Sequence, residues 1–229
     1  MLKIEHTEVV GWEAAIRGMR NPKNSWARSD SGYSYIPEVH AVIDNELVLQ
    51  DPADTQFCVG ENDWSLMTSL RNAGTDHRKY MRMITVYLDL TAPLYWWKEF
   101  DTYKVGTVAN SCSTMHKIAD KEFTVDDFSV EHLLAENVVY FGKTIERLNT
   151  ARTKFSETKN KDYWWQMIQL LPSSYNQKRT IMLNYEVLAN MYKSRKNHKL
   201  DEWHTFCDWI KTLPYSKLIT GEFENESNS

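Results

Sequence analysis

Residues 84–90, ITVYLDL, constrain the fold more than any other stretch of this chain. They are β-branched and aromatic with partial alternation, the pattern of a half-buried strand. Most other patterned segments repeat apolar residues at helical spacing. One firm strand among long helices predicts a mixed α+β fold of few strands and long helices.

The remaining elements follow from local signals. Residues 2–10 read as a short strand and 12–19 as a helix ended by Asn21-Pro22, because the residue before proline avoids helical angles. A helix over 62–73 stops at Gly74. Thr91 is placed to cap a helix carrying Ala92-Pro93 in its first turn and running to Tyr103. Residues 106–110 read as a loop. A long helix is expected over 126–158, with Leu133, Val138, Phe141, Ile145 and Leu148 on one face. A helix over 162–171 ends at Pro172, and 180–183 is short and extended. Helices over 185–196 and 200–212 close the pattern. The stretch 24–60 is irregular, with one short strand near 39–49, and reads as an insertion or lid. The whole predicts a single domain over 1–220 with a disordered tail at 221–229.

The net charge of −4 argues against binding to a nucleic-acid polymer, which needs a dense basic face. No stretch approaches about 18 consecutive apolar residues, so no membrane span is expected. Cys58, Cys112 and Cys207 are odd in number and form no CxxC pair, a pattern that suits a reducing cytoplasm. His198 and His204 are six apart, which fits neither metal spacing on a helix, so no metal site is expected.

Two blocks carry a resemblance. In residues 76–117, His77 leads a segment, ITVYLDL is the strand, and a helix follows at 92–101. The block resembles the flavin-dependent thymidylate synthases, whose helix is followed by R-H-R-x-x-S-x-N-E-x-S-x-R-Y. Without gaps, R-H-R falls on Thr102, Tyr103 and Lys104, and the first serine on Thr107. The asparagine–glutamate pair falls on Ala109-Asn110, the second serine on Cys112, and the arginine–tyrosine pair on Thr114-Met115. A one-residue shift puts Asn110 and Ser113 on the asparagine and second serine. In residues 171–214 the family pattern is matched by Leu171-Pro172, Lys178-Arg179, Asn184 to Leu188, Ser194-Arg195 and Leu213-Pro214.

The resemblance implies an α+β fold with a small, mainly antiparallel sheet and long flanking helices, assembled as a homotetramer that transfers a one-carbon unit to a pyrimidine deoxynucleotide such as dUMP. FAD would be the cofactor, with NADPH and methylenetetrahydrofolate as co-substrates. It implies flavin contacts at His77, Tyr103, Lys104, Thr107 and Asn184. Ser113, Lys178, Arg179 and Arg195 would contact the substrate, with Arg195 polarising the pyrimidine. Each residue also has a plainer reading. Arg195 is a cation at a helix C-terminus, Asn184 a helix cap, and Lys178 and Arg179 solvated loop residues. The run Ser111 to His116 is a hydroxyl-rich loop around Cys112, a thiol the family does not need.

The departures point to the alternative, a nucleotide- or small-ligand-binding protein of the same fold without flavin chemistry. Thr102 stands at a family arginine, and Lys104 lacks the planar fork of another. Glu186 reverses the charge of a third, and a carboxylate there opposes a phosphate. One member each of Trp96-Trp97 and Trp164-Trp165 is expected to face the core, leaving the other for a ring or an interface.

Overall fold

The computed structural model of the chain describes residues 1–35, 42–43, 46–47 and 55–223. The elements begin with β1 (Lys3–Val10), α1 (Trp12–Arg20), β2 (Gly32–Tyr35), β3 (Val42–Ile43), β4 (Glu46–Leu47), β5 (Thr55–Cys58) and α2 (Glu61–Asn72). Next come β6 (Thr85–Pro93), α3 (Leu94–Phe100), β7 (Val108–Ser111), α4 (Thr114–Lys117), α5 (Ala135–Thr158) and α6 (Lys161–Leu170). The last are β8 (Asn176–Asn184), α7 (Tyr185–Arg195), α8 (Asp201–Thr212) and α9 (Lys217–Thr220). They fall into two compact units, residues 10–85 and the remainder.

The larger unit holds a four-stranded sheet in the order β1-β6-β8-β7. β7 pairs antiparallel with β8, Val108 opposite Met182 and Ser111 opposite Arg179. Behind it lies an aromatic core. Trp96 sits 4.7 Å from Trp203 and 5.3 Å from Phe100, ring centre to ring centre. Trp96 and Trp97 are both fully buried, so neither is left for a ligand. Burying such rings contributes about 2–3 kcal/mol each. A second cluster gathers Phe123, Phe128, Leu148 and Met167. Phe141 and Ile145 join it, whereas Leu133 and Val138, expected on the same face, are exposed. Trp164 packs on this cluster and Trp165 is exposed.

The smaller unit is built on α1, α2 and a 3-10 turn, Arg78–Met83. A buried ion pair joins α1 to α2: Arg20 Nε donates to Asp63 Oδ1 at 2.6 Å. The other Asp63 oxygen accepts from the hydroxyls of Ser29 and Ser31 and the amides of residues 30 and 31. Gly11 adopts φ +95°, and a Cβ there would lie 2.1 Å from the Met83 carbonyl oxygen. β2 pairs antiparallel with β5, and β3 with β4. Where one short strand is expected near 39–49, the described residues hold two paired two-residue strands, β3 and β4, and the rest of that stretch lies outside the described residues.

Several boundaries differ from expectation. Asn21 stays helical before Pro22, because the chain passes into a 3-10 turn whose first positions need no proline N–H. β6 runs through Thr91 to Pro93, so Thr91 caps nothing; the N–H groups of Leu94 and Tyr95 donate instead to the carbonyls of Tyr175 and Ser173. Residues 108–111 are an edge strand, not loop; all four are exposed, which erases any alternation. The start signal near Asp126 belongs to a 3-10 turn closed by a Thr124–Asp127 capping box, and α5 begins only at Ala135. β8 extends beyond 180–183 to Asn176, which takes Lys178 and Arg179 out of a loop. Gly221 ends α9 with φ +74° and Glu222 accepts from the Tyr192 hydroxyl, so the fold continues past residue 220. Residues 224–229 lie outside the described residues.

Candidate functional site

The residues of the two resembling blocks meet around Arg195, in the last turn of α7. Its Nη1 donates to Glu99 on α3 at 2.7 Å and its Nε to the Tyr103 hydroxyl at 3.0 Å. The guanidinium lies 4.8 Å from the Trp203 ring centre, a cation–π distance. Glu99 Oε2 also accepts from Trp203 Nε1 at 3.1 Å and faces His198 Nε2 at 3.2 Å. His198 Nδ1 accepts from the Leu200 amide at 3.2 Å, which leaves Nε2 as the ring nitrogen turned to Glu99.

The chain after Tyr103 then turns onto α7. The Thr107 hydroxyl donates to the Tyr103 carbonyl. Gly106 adopts φ +79°, and a Cβ on it would approach Asn184 Nδ2 and Val187 Cγ2 to 2.9 Å. Asn184 Oδ1 accepts from the Val187 amide at 3.0 Å and so caps α7. Its Nδ2 makes no hydrogen bond among the described residues. Lys104 is exposed on this turn.

Lys178 and Arg179 diverge, because successive strand residues point to opposite faces. Lys178 Nζ lies 3.0 Å from Asp89 and 3.6 Å from Glu5. Thr180 donates to Asp89 at 2.6 Å, and His6 lies at 3.2 Å. The Thr180 hydrogen bond, then those from Lys178 and His6, hold the Asp89 carboxyl down at about 2, and the same ion pair raises the Lys178 ammonium. On the other face Arg179 pairs with Asp101 at 2.7 Å and stacks 4.2 Å over the Trp97 ring.

Ser113 caps α4 by accepting from the His116 amide. Cys112 is tied to β8, its amide donating to the Lys178 carbonyl and its own carbonyl accepting from Gln177 Nε2. Glu186 is buried within α7. His77 belongs to the smaller unit, where it lines a cavity with Lys23, Arg28 and Lys79. The turn from Tyr103 to Thr107 thus reaches both ends of α7, Tyr103 at Arg195 and Gly106 beside Asn184, which lie about 16 Å apart along the helix, and Lys178 and Arg179 are parted. The reading from residues missed Glu99, Asp89, Asp101 and Trp203. Only Glu99, one helical turn before Tyr103, carries a local signal.

No protein-family model matches the chain, and no curated protein sequence matches it. Solved structures do. A flavin-dependent thymidylate synthase from Helicobacter pylori complexed with FAD and dUMP superposes with a TM-score of 0.67 at 14% identity, over 96% of this chain and 98% of that one. A second structure of the Helicobacter pylori enzyme with FAD and dUMP gives 0.68 over the same shares. The fold is that of the flavin-dependent thymidylate synthases. A sheet flanked by long helices, with both resembling blocks in the same order, is the flavin-dependent thymidylate synthase architecture carried by a divergent sequence.

Proposed function

We propose that the chain is a flavin-dependent thymidylate synthase-like enzyme that transfers a one-carbon unit to a pyrimidine deoxynucleotide, dUMP or a close relative. One observation carries this reading: the second block meets the first at both ends of α7, where Arg195 donates to the Tyr103 hydroxyl at 3.0 Å and Asn184 lies where a Cβ on Gly106 would come within 2.9 Å of it. The turn fits a flavin in donor chemistry, since the Asn184 amide nitrogen and the exposed Lys104 ammonium offer unengaged donors to ring or phosphate oxygens. Bound there, a reduced flavin would supply the methylene and hydride transfer, with methylenetetrahydrofolate and NADPH as co-substrates. Tyr103 and Thr107 would hold the turn that shapes its site.

Arg195 would orient the pyrimidine and stabilise negative charge on its ring oxygens. Glu99 holds that guanidinium in place before any ligand arrives, which reduces the reorganisation needed on binding. Ser113, at the head of α4, would reach the nucleotide from the strand facing Lys178. Assembly as a homotetramer would bring such groups from several copies to one site.

A second reading has its own support. Lys178 faces two carboxylates, Arg179 one and Arg195 one. A dianionic phosphate would have to compete with these pairs, which favours a ligand-binding protein of the same fold without flavin chemistry. A visible absorbance spectrum of the purified protein, followed by tritium release from 5-tritiated dUMP, separates the two. Flavin bands with tritium release support the enzyme. A colourless protein that dUMP stabilises against melting supports the binding protein and overturns the enzyme.

A further inference from the structure

Glu99 gathers all of its side-chain partners on one oxygen. Oε2 accepts from Arg195 Nη1 at 2.7 Å and from Trp203 Nε1 at 3.1 Å, and it faces His198 Nε2 at 3.2 Å. Oε1 makes no hydrogen bond or ion pair among the described residues. The Arg195 guanidinium is divided in the same way. Nε donates to the Tyr103 hydroxyl and Nη1 to Glu99, and Nη2 has no partner among the described residues. One bare acceptor and one bare donor therefore belong to a single ion pair. Neither side chain is sealed off: Glu99 is 34% and Arg195 18% exposed.

The pair is held in place before any ligand arrives. Trp203 grips both members, its Nε1 donating to Glu99 and its ring lying 4.8 Å from the guanidinium. Tyr103 fixes the Nε edge of Arg195. Groups ordered in advance cost less to engage on binding. Their pattern is also fixed in sense. A carboxylate only accepts and a guanidinium only donates, whereas an amide in place of Glu99 could offer either face.

We propose that Glu99 sets the base preference of this site and selects a cytosine over a uracil nucleotide. The inference rests on the reading that Arg195 meets the pyrimidine. The N4 amino group of cytosine would donate to Glu99 Oε1 while N3 accepts from Arg195 Nη2. Uracil can also set an N–H beside an acceptor, through N3 and a neighbouring carbonyl. Its N3–H, however, has a carbonyl on each side, so the second one would lie against the carboxylate and be repelled. Beyond the amino group of cytosine lies only C5–H. A site built around one hydrogen-bonding edge discriminates strongly against a base that cannot supply it, because polar groups are left unpaired.

Equilibrium dialysis of the full chain with dCMP and with dUMP tests it. The two share sugar and phosphate, so the ratio of their affinities reads the base alone. The wild type is expected to bind dCMP about tenfold more tightly, the worth of one charge-assisted contact. Glu99→Gln keeps an acceptor for Arg195 and Trp203 and adds an amide donor that a uracil carbonyl can use. It should bring the ratio to about one or reverse it, with its melting temperature as the check on folding. Equal or tighter binding of dUMP by the wild type overturns the inference and leaves the pyrimidine-nucleotide reading standing. An unchanged ratio in a folded Glu99→Gln variant overturns the role of Glu99. Binding of neither nucleotide overturns the pyrimidine-nucleotide reading, and this inference falls with it.

Discussion

Glu99 and Arg195 come from segments 96 residues apart and form a 2.7 Å ion pair roofed by the Trp203 ring. Glu99 draws three donors to one carboxylate, and Arg195 satisfies an acid and a phenol at once. Half-exposed ion pairs contribute little by themselves, but the Tyr103 hydrogen bond and the stacking add to this one. Arg195→Ala is expected to cost about 1–2 kcal/mol. The melting temperature should fall by about 2–8 °C, with Arg195→Lys between, since lysine cannot serve Glu99 and Tyr103 together. Scanning calorimetry of the two variants reads this, and an unchanged melting point for the alanine variant refutes it.

Gly106 and Asn184 give a second prediction. Gly106→Ala places a Cβ at positive φ and 2.9 Å from Asn184 and Val187. Strain and overlap together should cost about 1–3 kcal/mol. Asn184→Ala should cost about 1 kcal/mol through the lost cap. It also removes one of the two atoms that crowd residue 106. The double variant should therefore be more stable than the sum of the singles by several tenths of a kcal/mol or more, as read by urea denaturation. Strict additivity would place the crowding elsewhere.

Asp63 sets the acid limit of the smaller unit. Burial by itself would raise its carboxyl, but hydrogen bonds from Ser31, Ser29 and Arg20 outweigh burial and leave it below the ordinary value. A depressed folded-state value contributes stability that is present above the unfolded value of about 4 and lost as pH falls through the folded one. Near-ultraviolet circular dichroism should show loss of tertiary structure only below about pH 4. Asp63→Asn leaves Arg20 buried without its counter-charge and should cost about 3–5 kcal/mol at neutral pH. A variant that melts with the wild type at pH 7 would contradict the pairing.

Asp89 titrates on the open face of the sheet. Carboxyl NMR should place it near 2, with Thr180→Ala moving it upward, because that hydroxyl is its largest stabiliser. The stability it contributes is present above about pH 4 and is lost as pH falls towards the folded value. Asp89→Asn removes one of the two acids facing Lys178. If Lys178 holds the substrate phosphate, the variant should bind dUMP several-fold more tightly. Weaker or equal binding in an equilibrium titration would remove Lys178 from the phosphate site.

Local signals in the sequence reached the elements but not their partners. The helix after Asn184 was legible because an N-cap precedes a helical pattern, and the structure shows that cap as a hydrogen bond. β7 was invisible because an exposed edge strand needs no alternation, and its only specification is the antiparallel register with β8. The false start of α5 has the same origin. A capping box reads identically whether the turn it opens lasts one turn or seven, and the bridge from Phe128 to Tyr175 stops this one. Lys178 and Arg179 looked like a pair in sequence, and strand geometry made them neighbours of different acids.

By itself the sequence determined most of the longer helices, one of the two inner strands, and which residues to weigh as a site, because caps, breakers and periodicity act within a few residues. Only the tertiary structure decided that Arg195 meets Glu99, that Asp89 and Glu5 face Lys178, and that Gly106 packs on Asn184. These relations join residues about 80 to 170 positions apart, apart from the sheet's own edge. Coulombic and packing forces depend on distance in space, which no local pattern encodes.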